Sequence, residues 1–127
     1  FAYPGFWRGY YEAIVPEQLT CELDFGQIRK VLVHLVRNAV EAMKNGGNLT
    51  IEVAAKSEQI HIYVRDTGTG IEGSELEKAT DPFYTTKKSG TGVGLALVER
   101  IINDHQGELI IRNRKSGGTE VVIALPQ

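Results

Sequence analysis

Two glycine-rich turns contain the residues of this chain that are best suited to binding chemistry. The first runs from Asp66 to Ile71 after a predicted strand, and the second runs from Gly90 to Leu95 at the start of a predicted helix. Glycine lets another group approach the bare backbone, and the N-terminus of a helix presents unpaired N–H groups to an anion. The second turn is therefore a candidate phosphate site. The first turn begins with a carboxylate, which suits a ligand edge that donates hydrogen bonds, such as an exocyclic amine.

Each turn alone has a plainer interpretation. A strand that ends in Asp-x-Gly-x-Gly is commonly followed by a tight exit loop, in which Asp66 bonds its own backbone. The second turn lacks the lysine of a Walker loop, and the spacing of Gly90, Gly92 and Gly94 differs from that of a dinucleotide fingerprint. The interpretation of both turns as one nucleotide pocket therefore depends on the rest of the chain.

A helix is predicted from Asp24 onward, because apolar residues recur at steps of three and four until Asn45-Gly46-Gly47 ends the pattern. On this helix His34, Asn38 and Glu41 lie at steps of four and three, so they form one polar stripe beside the apolar face. Any amphipathic helix carries such a stripe. The alternative interpretation is functional: the amide oxygen of Asn38 is a neutral, hard ligand that would help to hold Mg²⁺ against phosphate oxygens.

The segment between the glycine turns predicts a long polar loop with one short helix. A loop of this length inside a compact domain is usually functional. Within it Phe83 can bury its ring and hold the loop down, while Lys87 and Lys88 can bring positive charge to phosphates. The plainer interpretation is a solvated pair of lysines, and their position directly before the second glycine turn makes that interpretation less favourable.

The composition indicates one ordinary globular domain. With 127 residues, 42% of them hydrophobic, and a net charge of -2, the chain can bury a core and has no broad basic surface for nucleic acid. The single Cys21 excludes an internal disulfide, and no apolar run approaches the roughly 20 residues that span a bilayer. We therefore expect a monomeric domain without direct membrane contact. Because it starts at Phe1 without a leader-like segment, we also expect a piece of a longer protein.

The start of the chain differs in composition from the rest. Six of the ten aromatic residues fall within residues 1–11, beside Pro4, Gly5 and Gly9, which argue against a helix. This pattern predicts an irregular or short extended arm up to Pro16, and we place the boundary between an arm of residues 1–20 and a domain of residues 21–127. The aromatic side chains would pack on the domain or a neighbour, or would form a docking surface for a missing helical domain.

Alternating apolar residues and turn signals predict two pairs of strands separated by a second helix. The first pair forms a hairpin around Lys56 to Glu58, and Gly117-Gly118 makes the turn of the second pair. This order of elements fits helices on one face of a mixed sheet. The predicted ranges are Leu49 to Ala55, Gln59 to Arg65, Val93 to His105 for the helix, Glu108 to Arg114 and Thr119 to Leu125.

With these residues, the chain resembles the catalytic ATP-binding domain of sensor histidine kinases, a branch of the superfamily shared with gyrase and mismatch-repair ATPases. The resemblance runs from Asp24 to Pro126. It includes four motifs in the order of the family: an N box at Val31 to Met43, a G1 box at Asp66 to Ile71, an F box at Asp81 to Lys87 and a G2 box at Gly90 to Leu95. The resemblance implies an α+β fold of the Bergerat type, a two-layer sandwich with helices on one face of a mixed, mainly antiparallel sheet.

The resemblance also implies roles for individual residues. Asp66 would take the adenine amino group, Thr119 would lie near the adenine, and Asn38 would ligate Mg²⁺. The segment between the G1 and G2 boxes would be the ATP lid. The nucleotide-binding residues that the resemblance implies are Asn38, Ala42, Asp66, Gly68, Gly70, Ile71, Phe83, Lys87, Lys88, Gly90, Thr91, Gly92, Val93, Gly94, Leu95 and Thr119.

Two features depart from the family pattern. Many members carry asparagine at the position of His34 and lysine at that of Glu41, so other first-helix contacts to metal and phosphate are expected to differ, and Lys87 and Lys88 can compensate. Residues 1–20 match no family motif and replace the usual opening strand. The edge of the sheet is therefore expected to be built differently.

The resemblance implies a kinase that needs a second domain. The chain would bind Mg-ATP in the cytoplasm and donate the γ-phosphoryl group to a histidine on a separate dimerisation domain of its parent protein, with a response regulator downstream. His34, His61 and His105 lie in no sequence that resembles the acceptor motif, so the acceptor is expected outside the chain.

Two alternatives stay open at this point. A free-standing ATPase of the same superfamily places a glutamate one helical turn before the metal asparagine; here that position is His34, whose imidazole could serve as the base. The other alternative is a nucleotide-binding module whose lid switches without any transfer.

Overall fold

A computed structural model describes residues 9–16, 24–56, 58–69 and 93–126. Among the elements in these ranges, no helix combines the length and apolarity that a bilayer crossing requires. The first predicted helix begins one residue after its predicted start and ends at Ala42, before the predicted stop at Asn45-Gly46-Gly47. The other predicted strands and the second predicted helix are present in these ranges to within one residue of their predicted ends. In chain order the elements are β1 (Tyr10–Ile14), α1 (Phe25–Ala42), β2 (Asn48–Lys56), β3 (Gln59–Asp66), α2 (Val93–Asp104), β4 (Glu108–Asn113) and β5 (Thr119–Pro126).

The strands form one mixed sheet in the order β1-β2-β3-β5-β4. β1 pairs parallel with β2, and the other pairings are antiparallel. Ile60, Ile62 and Val64 share one face of β3, and they are buried together with apolar residues of α1 and α2. Both helices therefore cover the same face of the sheet, which confirms the predicted α+β sandwich.

α1 begins at a side-chain cap and faces the sheet with its apolar side. The Oδ1 atom of Asp24 accepts a hydrogen bond from the amide of Gln27 at 3.1 Å, which satisfies one of the free amides of the first turn. Val31, Leu35 and Ala39 follow at steps of four and are buried. The polar stripe borders this buried side and is half-buried itself.

A histidine links the end of α2 to the start of α1. The amide of Asp24 donates to Nε2 of His105 at 3.2 Å, while Nδ1 of the same ring lies 2.9 Å from the carbonyl oxygen of Ile101. Because Nε2 accepts, the hydrogen of a neutral ring sits on Nδ1, and it donates to Ile101. This hydrogen bond joins the ends of the two helices, whose apolar sides also pack together in the core.

β1 gives residues 10–14 the extended form, one of the two forms expected for the arm, and it corrects the expectation that residues 1–20 replace the usual opening strand. Residues Tyr10 to Ile14 run parallel to β2, in register from Tyr10 opposite Asn48 to Ile14 opposite Glu52, and the amide of Tyr10 donates to the carbonyl of Gly47 at 2.8 Å. All five side chains of β1 are exposed. An edge strand with two exposed faces has no alternating pattern, so its regularity comes from backbone pairing that the sequence does not display.

The sheet face opposite the helices carries a network of ion pairs, which we call the outer-face network. Arg65 lies at its centre, with Nη1 2.8 Å from Oε1 of Glu52 and Nε 2.6 Å from Oε2 of Glu120. Arg112 reaches the other oxygen of Glu120 at 2.6 Å. The network crosses β2, β3, β5 and β4.

Candidate functional site

Asp66 lies at the end of β3 and is only 6% exposed. Its Oδ1 atom accepts hydrogen bonds from the amide of Gly68 at 2.9 Å and from the amide of Thr119 at 3.2 Å. Within the described ranges, no group donates to Oδ2. The two backbone amides therefore fix the orientation of the carboxylate while Oδ2 keeps its capacity to accept a hydrogen bond.

The surroundings of Asp66 make its charge costly. Burial raises the pKa of this carboxyl above its ordinary value, and the amides of Gly68 and Thr119 together with the positive charge of Arg114 lower it again without cancelling the effect of burial. A ligand that donates a hydrogen bond to the carboxylate would offset part of this cost.

Gly68 brings the turn after β3 against the end of α1. A Cβ at this position would overlap the carbonyl oxygen of Ala42 and would lie 2.8 Å from both the carbonyl carbon and the Cβ of that residue. The close approach therefore requires glycine. Gly68 and Ala42, which the family resemblance implied as neighbours of the nucleotide, are in direct contact.

Met43 and Thr67 make a second connection between α1 and this turn. The amide and the hydroxyl of Thr67 lie 3.3 and 3.5 Å from the Sδ atom of Met43, which can accept from both. The hydroxyl oxygen of Thr67 also accepts from the amide of Asn48 at 3.0 Å. From the sequence, Met43 belonged to the apolar pattern of the helix and to the end of the N box, and its contact with Thr67 was not predicted.

The turn between β4 and β5 closes over Asp66 from the other side. Gly118 has a φ of 95°, and a Cβ there would overlap the carbonyl oxygen of Asp66. Nη1 of Arg114 donates to the same carbonyl oxygen at 2.9 Å. Sequence reasoning missed Arg114, because nothing in its local pattern distinguishes it from a solvated arginine.

The polar stripe of α1 lies on the same side of the helix as Ala42, the residue that contacts Gly68. His34, Asn38 and Ala42 follow at steps of four, so Asn38 lies about 6 Å along the helix axis from Ala42. Each polar member of the stripe interacts with a neighbouring group. The arrangement is compatible with both interpretations of the stripe, and the metal role of Asn38 stays a prediction.

The second glycine turn is described only at its helical end. α2 begins at Val93, with Gly94 as its second residue, and Leu95 is half-buried against the core. The predicted helix start is therefore confirmed, and the phosphate role stays a prediction. The site residues that lie outside the described ranges are Gly70, Ile71, Phe83, Lys87, Lys88, Gly90, Thr91 and Gly92, together with the predicted short helix of the loop.

The sequence matches one protein family over most of its length. The model of the family "Histidine kinase-, DNA gyrase B-, and HSP90-like ATPase" matches residues 24–127. Sporulation kinase E of Bacillus subtilis (strain 168) is 37% identical over 101 residues, which are 79% of this chain and 14% of that protein. The signal transduction histidine-protein kinase AtoS of Escherichia coli (strain K12) is 41% identical over 100 residues, which are 78% of this chain and 16% of that protein.

Solved structures agree with this match. The catalytic domain of the histidine kinase ThkA, in a nucleotide-free form, is 34% identical and superposes with a TM-score of 0.81, covering 93% of this chain and 77% of that one. ThkA in complex with the response regulator protein TrrA gives a TM-score of 0.77 at 30% identity, covering 93% of this chain and 33% of that one. The present chain spans less than a fifth of the length of the two curated relatives. It belongs to the histidine kinase-, DNA gyrase B- and HSP90-like ATPase family, and within that family it is a histidine-kinase catalytic domain.

Proposed function

We propose that this domain binds Mg-ATP and donates the γ-phosphoryl group to a histidine on a dimerisation domain of the same parent protein. One observation carries the proposal: the carboxylate of Asp66 is buried, its Oδ1 is held by the amides of Gly68 and Thr119, and no described residue donates to Oδ2. The carboxylate is a preorganised hydrogen-bond acceptor at the start of a turn that the family motif assigns to the nucleotide.

The acceptor favours adenine over guanine. The 6-amino group of adenine donates a hydrogen bond, which Oδ2 of Asp66 can accept. Guanine carries a carbonyl oxygen at the same position, so two acceptors would face each other and the buried carboxylate would stay without a donor. Gly68 and Thr119, whose amides meet at Asp66, would then flank the base.

The start of α2 would form the phosphate end of the pocket. The first amides of a helix lack partners within the helix, and the helix dipole adds partial positive charge at this end. We assign Gly92 and Gly94 to the close approach of the backbone to the phosphates, and Lys87 and Lys88 to charge neutralisation. We also propose contacts with the nucleotide for the other residues that the family resemblance implies.

The donor chemistry of Asn38 fits Mg²⁺. Mg²⁺ prefers oxygen ligands, keeps several waters and is commonly held by one or two protein oxygens together with substrate phosphates, so a single amide oxygen is a sufficient protein contribution. When bound, the ion would supply charge neutralisation at the phosphates. Asn38 lies one turn before Ala42, the residue that contacts Gly68, so this side chain and the adenine turn share one side of α1.

In the proposed transfer, a ring nitrogen of the acceptor histidine forms a bond to the γ-phosphorus while the bond from that phosphorus to the bridging oxygen breaks, and ADP leaves. The domain contributes positioning and charge neutralisation rather than a covalent intermediate. We further propose a cytoplasmic response regulator as the next acceptor, which is supported by the complex of the similar kinase ThkA with the response regulator protein TrrA.

The proposal is tested by adding the dimerisation domain of the parent protein to the purified chain and Mg-ATP labelled at the γ-phosphate. We expect ATP binding by the chain alone, no sustained release of phosphate, and label on the acceptor histidine once both domains are present. Sustained hydrolysis by the chain alone, without label on the added domain, would contradict the kinase and favour the ATPase in which His34 acts as base.

The matched variant is Asp66→Asn, which keeps the acceptor for Gly68 and Thr119 but removes the charge and the second acceptor. We expect the Kd of ATP to rise about a hundredfold, as for a lost hydrogen bond to a charged group. Because the folded pKa of Asp66 is raised, the carboxyl group contributes stability at acidic pH, where it is protonated, and this contribution is lost as the pH rises through the folded pKa. At pH 7 the variant should therefore unfold in urea at the same concentration as the wild type or a higher one.

A further inference from the structure

The guanidinium of Arg114 reaches the proposed adenine site from the turn between β4 and β5. Its Nη1 donates to the backbone carbonyl of Asp66 at 2.9 Å, across 48 residues of sequence. The backbone ladder between β3 and β5 ends one residue earlier, where Arg65 lies opposite Glu120. Arg114 therefore continues the connection between β3 and the β4–β5 hairpin beyond the point where the ladder stops.

The backbone of Arg114 is itself held in place. Its amide donates to the carbonyl of Gly118 at 2.9 Å, and its carbonyl accepts from the amide of Gly117 at 3.1 Å. The amide of Thr119, at the end of the same turn, donates to Oδ1 of Asp66. One short turn thus holds Asp66 at two atoms, the backbone carbonyl and the carboxylate, and the side chain of Arg114 supplies one of these contacts.

We propose that Arg114 is a positioning residue for adenine recognition, which holds the backbone of Asp66 so that its carboxylate keeps the orientation that accepts the 6-amino group. The inference rests on the proposed role of Asp66. Burial raises the pKa of the Asp66 carboxyl, and the charge of Arg114 counteracts that effect, so the same residue also favours the ionised acceptor. Arginine suits the task because its planar, permanently charged group makes strong hydrogen bonds to oxygen.

The test compares two substitutions of Arg114 with one of Arg112. Arg114→Gln removes the charge, and Arg114→Lys keeps the charge and a donor. Arg112→Gln is the matched control, because Arg112 lies on the same hairpin but pairs with Glu120 on the outer face. We expect Arg114→Gln to raise the Kd of ATP about tenfold, Arg114→Lys to recover part of this loss, and Arg112→Gln to leave the Kd within about twofold of the wild type.

A second readout separates positioning from a general loss of structure. Purine riboside triphosphate lacks the 6-amino group, so its affinity should be equal for the wild type and Arg114→Gln. In a phosphorylation assay with the dimerisation domain, the KM for ATP should rise while kcat at saturating ATP stays within about twofold, because positioning affects binding of the base and not the transfer. In the background of Asp66→Asn, Arg114→Gln should cause no further loss of ATP affinity.

The outcomes distinguish this inference from the proposed function. If Asp66→Asn weakens ATP binding and Arg114→Gln does not, the positioning role of Arg114 is refuted and the adenine role of Asp66 stands. Equal losses for ATP and for the nucleotide without the amino group would also refute positioning, in favour of a structural role. If Asp66→Asn binds ATP as tightly as the wild type, both the adenine role of Asp66 and the inference drawn from it are wrong.

Discussion

At the scale of single residues, the site depends on glycines that make room for a neighbouring part of the protein backbone. Gly68 admits the carbonyl of Ala42, and Gly118 admits the carbonyl of Asp66. From the sequence, the glycines of the turn after β3 were expected to let a ligand approach, and Gly117-Gly118 was expected to make a hairpin turn. In the structure, these two glycines let elements of the fold approach each other, so a side chain here would disturb the pocket by moving Asp66.

The β4–β5 turn contains a control for the effect of a side chain at Gly118, because Gly117 lies beside it. Gly117 and Gly118 both have positive φ, at 101° and 95°, but a Cβ at Gly117 would have nothing within 4 Å, whereas one at Gly118 would collide with Asp66. We expect Gly117→Ala to lower the free energy of unfolding by about 1 kcal/mol and Gly118→Ala by about 3 kcal/mol, with weaker ATP binding only in the latter. Urea titration and calorimetry measure both effects. Equal losses of stability would show that φ alone requires these glycines.

At the scale of secondary-structure elements, α1 connects the two ends of the proposed pocket. Its start is bonded to His105 at the end of α2, and its last turn contacts the turn after β3 through Ala42 and Met43. α1 therefore contacts both the turn after β3, at the proposed adenine end, and α2, whose start is the proposed phosphate end; α2 also packs on the sheet.

The hydrogen bond between His105 and the amide of Asp24 predicts that mutations of these two residues lower the free energy of unfolding additively. His105→Leu removes the acceptor of the Asp24 amide, and Asp24→Ala removes the cap of α1; each should lower the free energy of unfolding by about 1 kcal/mol. Asp24→Ala retains the backbone amide that His105 accepts from, so the losses should add to within about 0.5 kcal/mol in the double variant. Urea titration of the three variants measures this. A double variant no less stable than either single one would show that cap and histidine act as one unit.

At the scale of the whole molecule, the surroundings shift the pKa values of two carboxyl groups, Glu120 and Asp66, in opposite directions. Burial tends to raise the pKa of Glu120, but hydrogen bonds from Arg65 and Arg112 lower it below the ordinary value of 4.5. Asp66 has backbone amides on its carboxylate and a raised pKa. The outer-face network thus stabilises the fold at neutral pH, whereas the site holds a charge that costs stability there.

This contrast predicts how stability changes with pH in Glu120→Gln. Because the folded pKa of Glu120 is lowered, its contribution is present above the unfolded pKa and is lost as the pH falls through the folded pKa. We expect the variant to be less stable than the wild type by about 1 kcal/mol at neutral pH. Urea titrations from neutral pH to about pH 3 should show the difference shrinking on acidification. A difference independent of pH would mean that packing, and not charge, explains the role of Glu120.

Much of the fold could be predicted because its signals are local. The steps of three and four in α1, the alternation in β3 and the Gly117-Gly118 turn each lie within one element, and each predicted the element that the structure contains. β1 was the exception, because an exposed edge strand has no buried side to generate a pattern. In the candidate site, Asp66 and Gly68 were named from their motif, and their contacts with a nucleotide stay predictions.

The sequence by itself determined the family, the order of elements from α1 onward and the residue types of the proposed nucleotide pocket. Only the tertiary structure decided which groups hold Asp66 in place. Thr119 and Arg114 lie 53 and 48 residues further along the chain, and Met43 reaches the adjacent Thr67 from the opposite side. Such contacts depend on how every intervening strand and helix is placed. The residue type alone does not show whether an arginine is solvated or donates a hydrogen bond to a distant carbonyl oxygen. The physical reason for this limit is distance along the chain. Local periodicity predicts which side of each element is buried, whereas contacts between residues far apart in the sequence depend on how the elements pack.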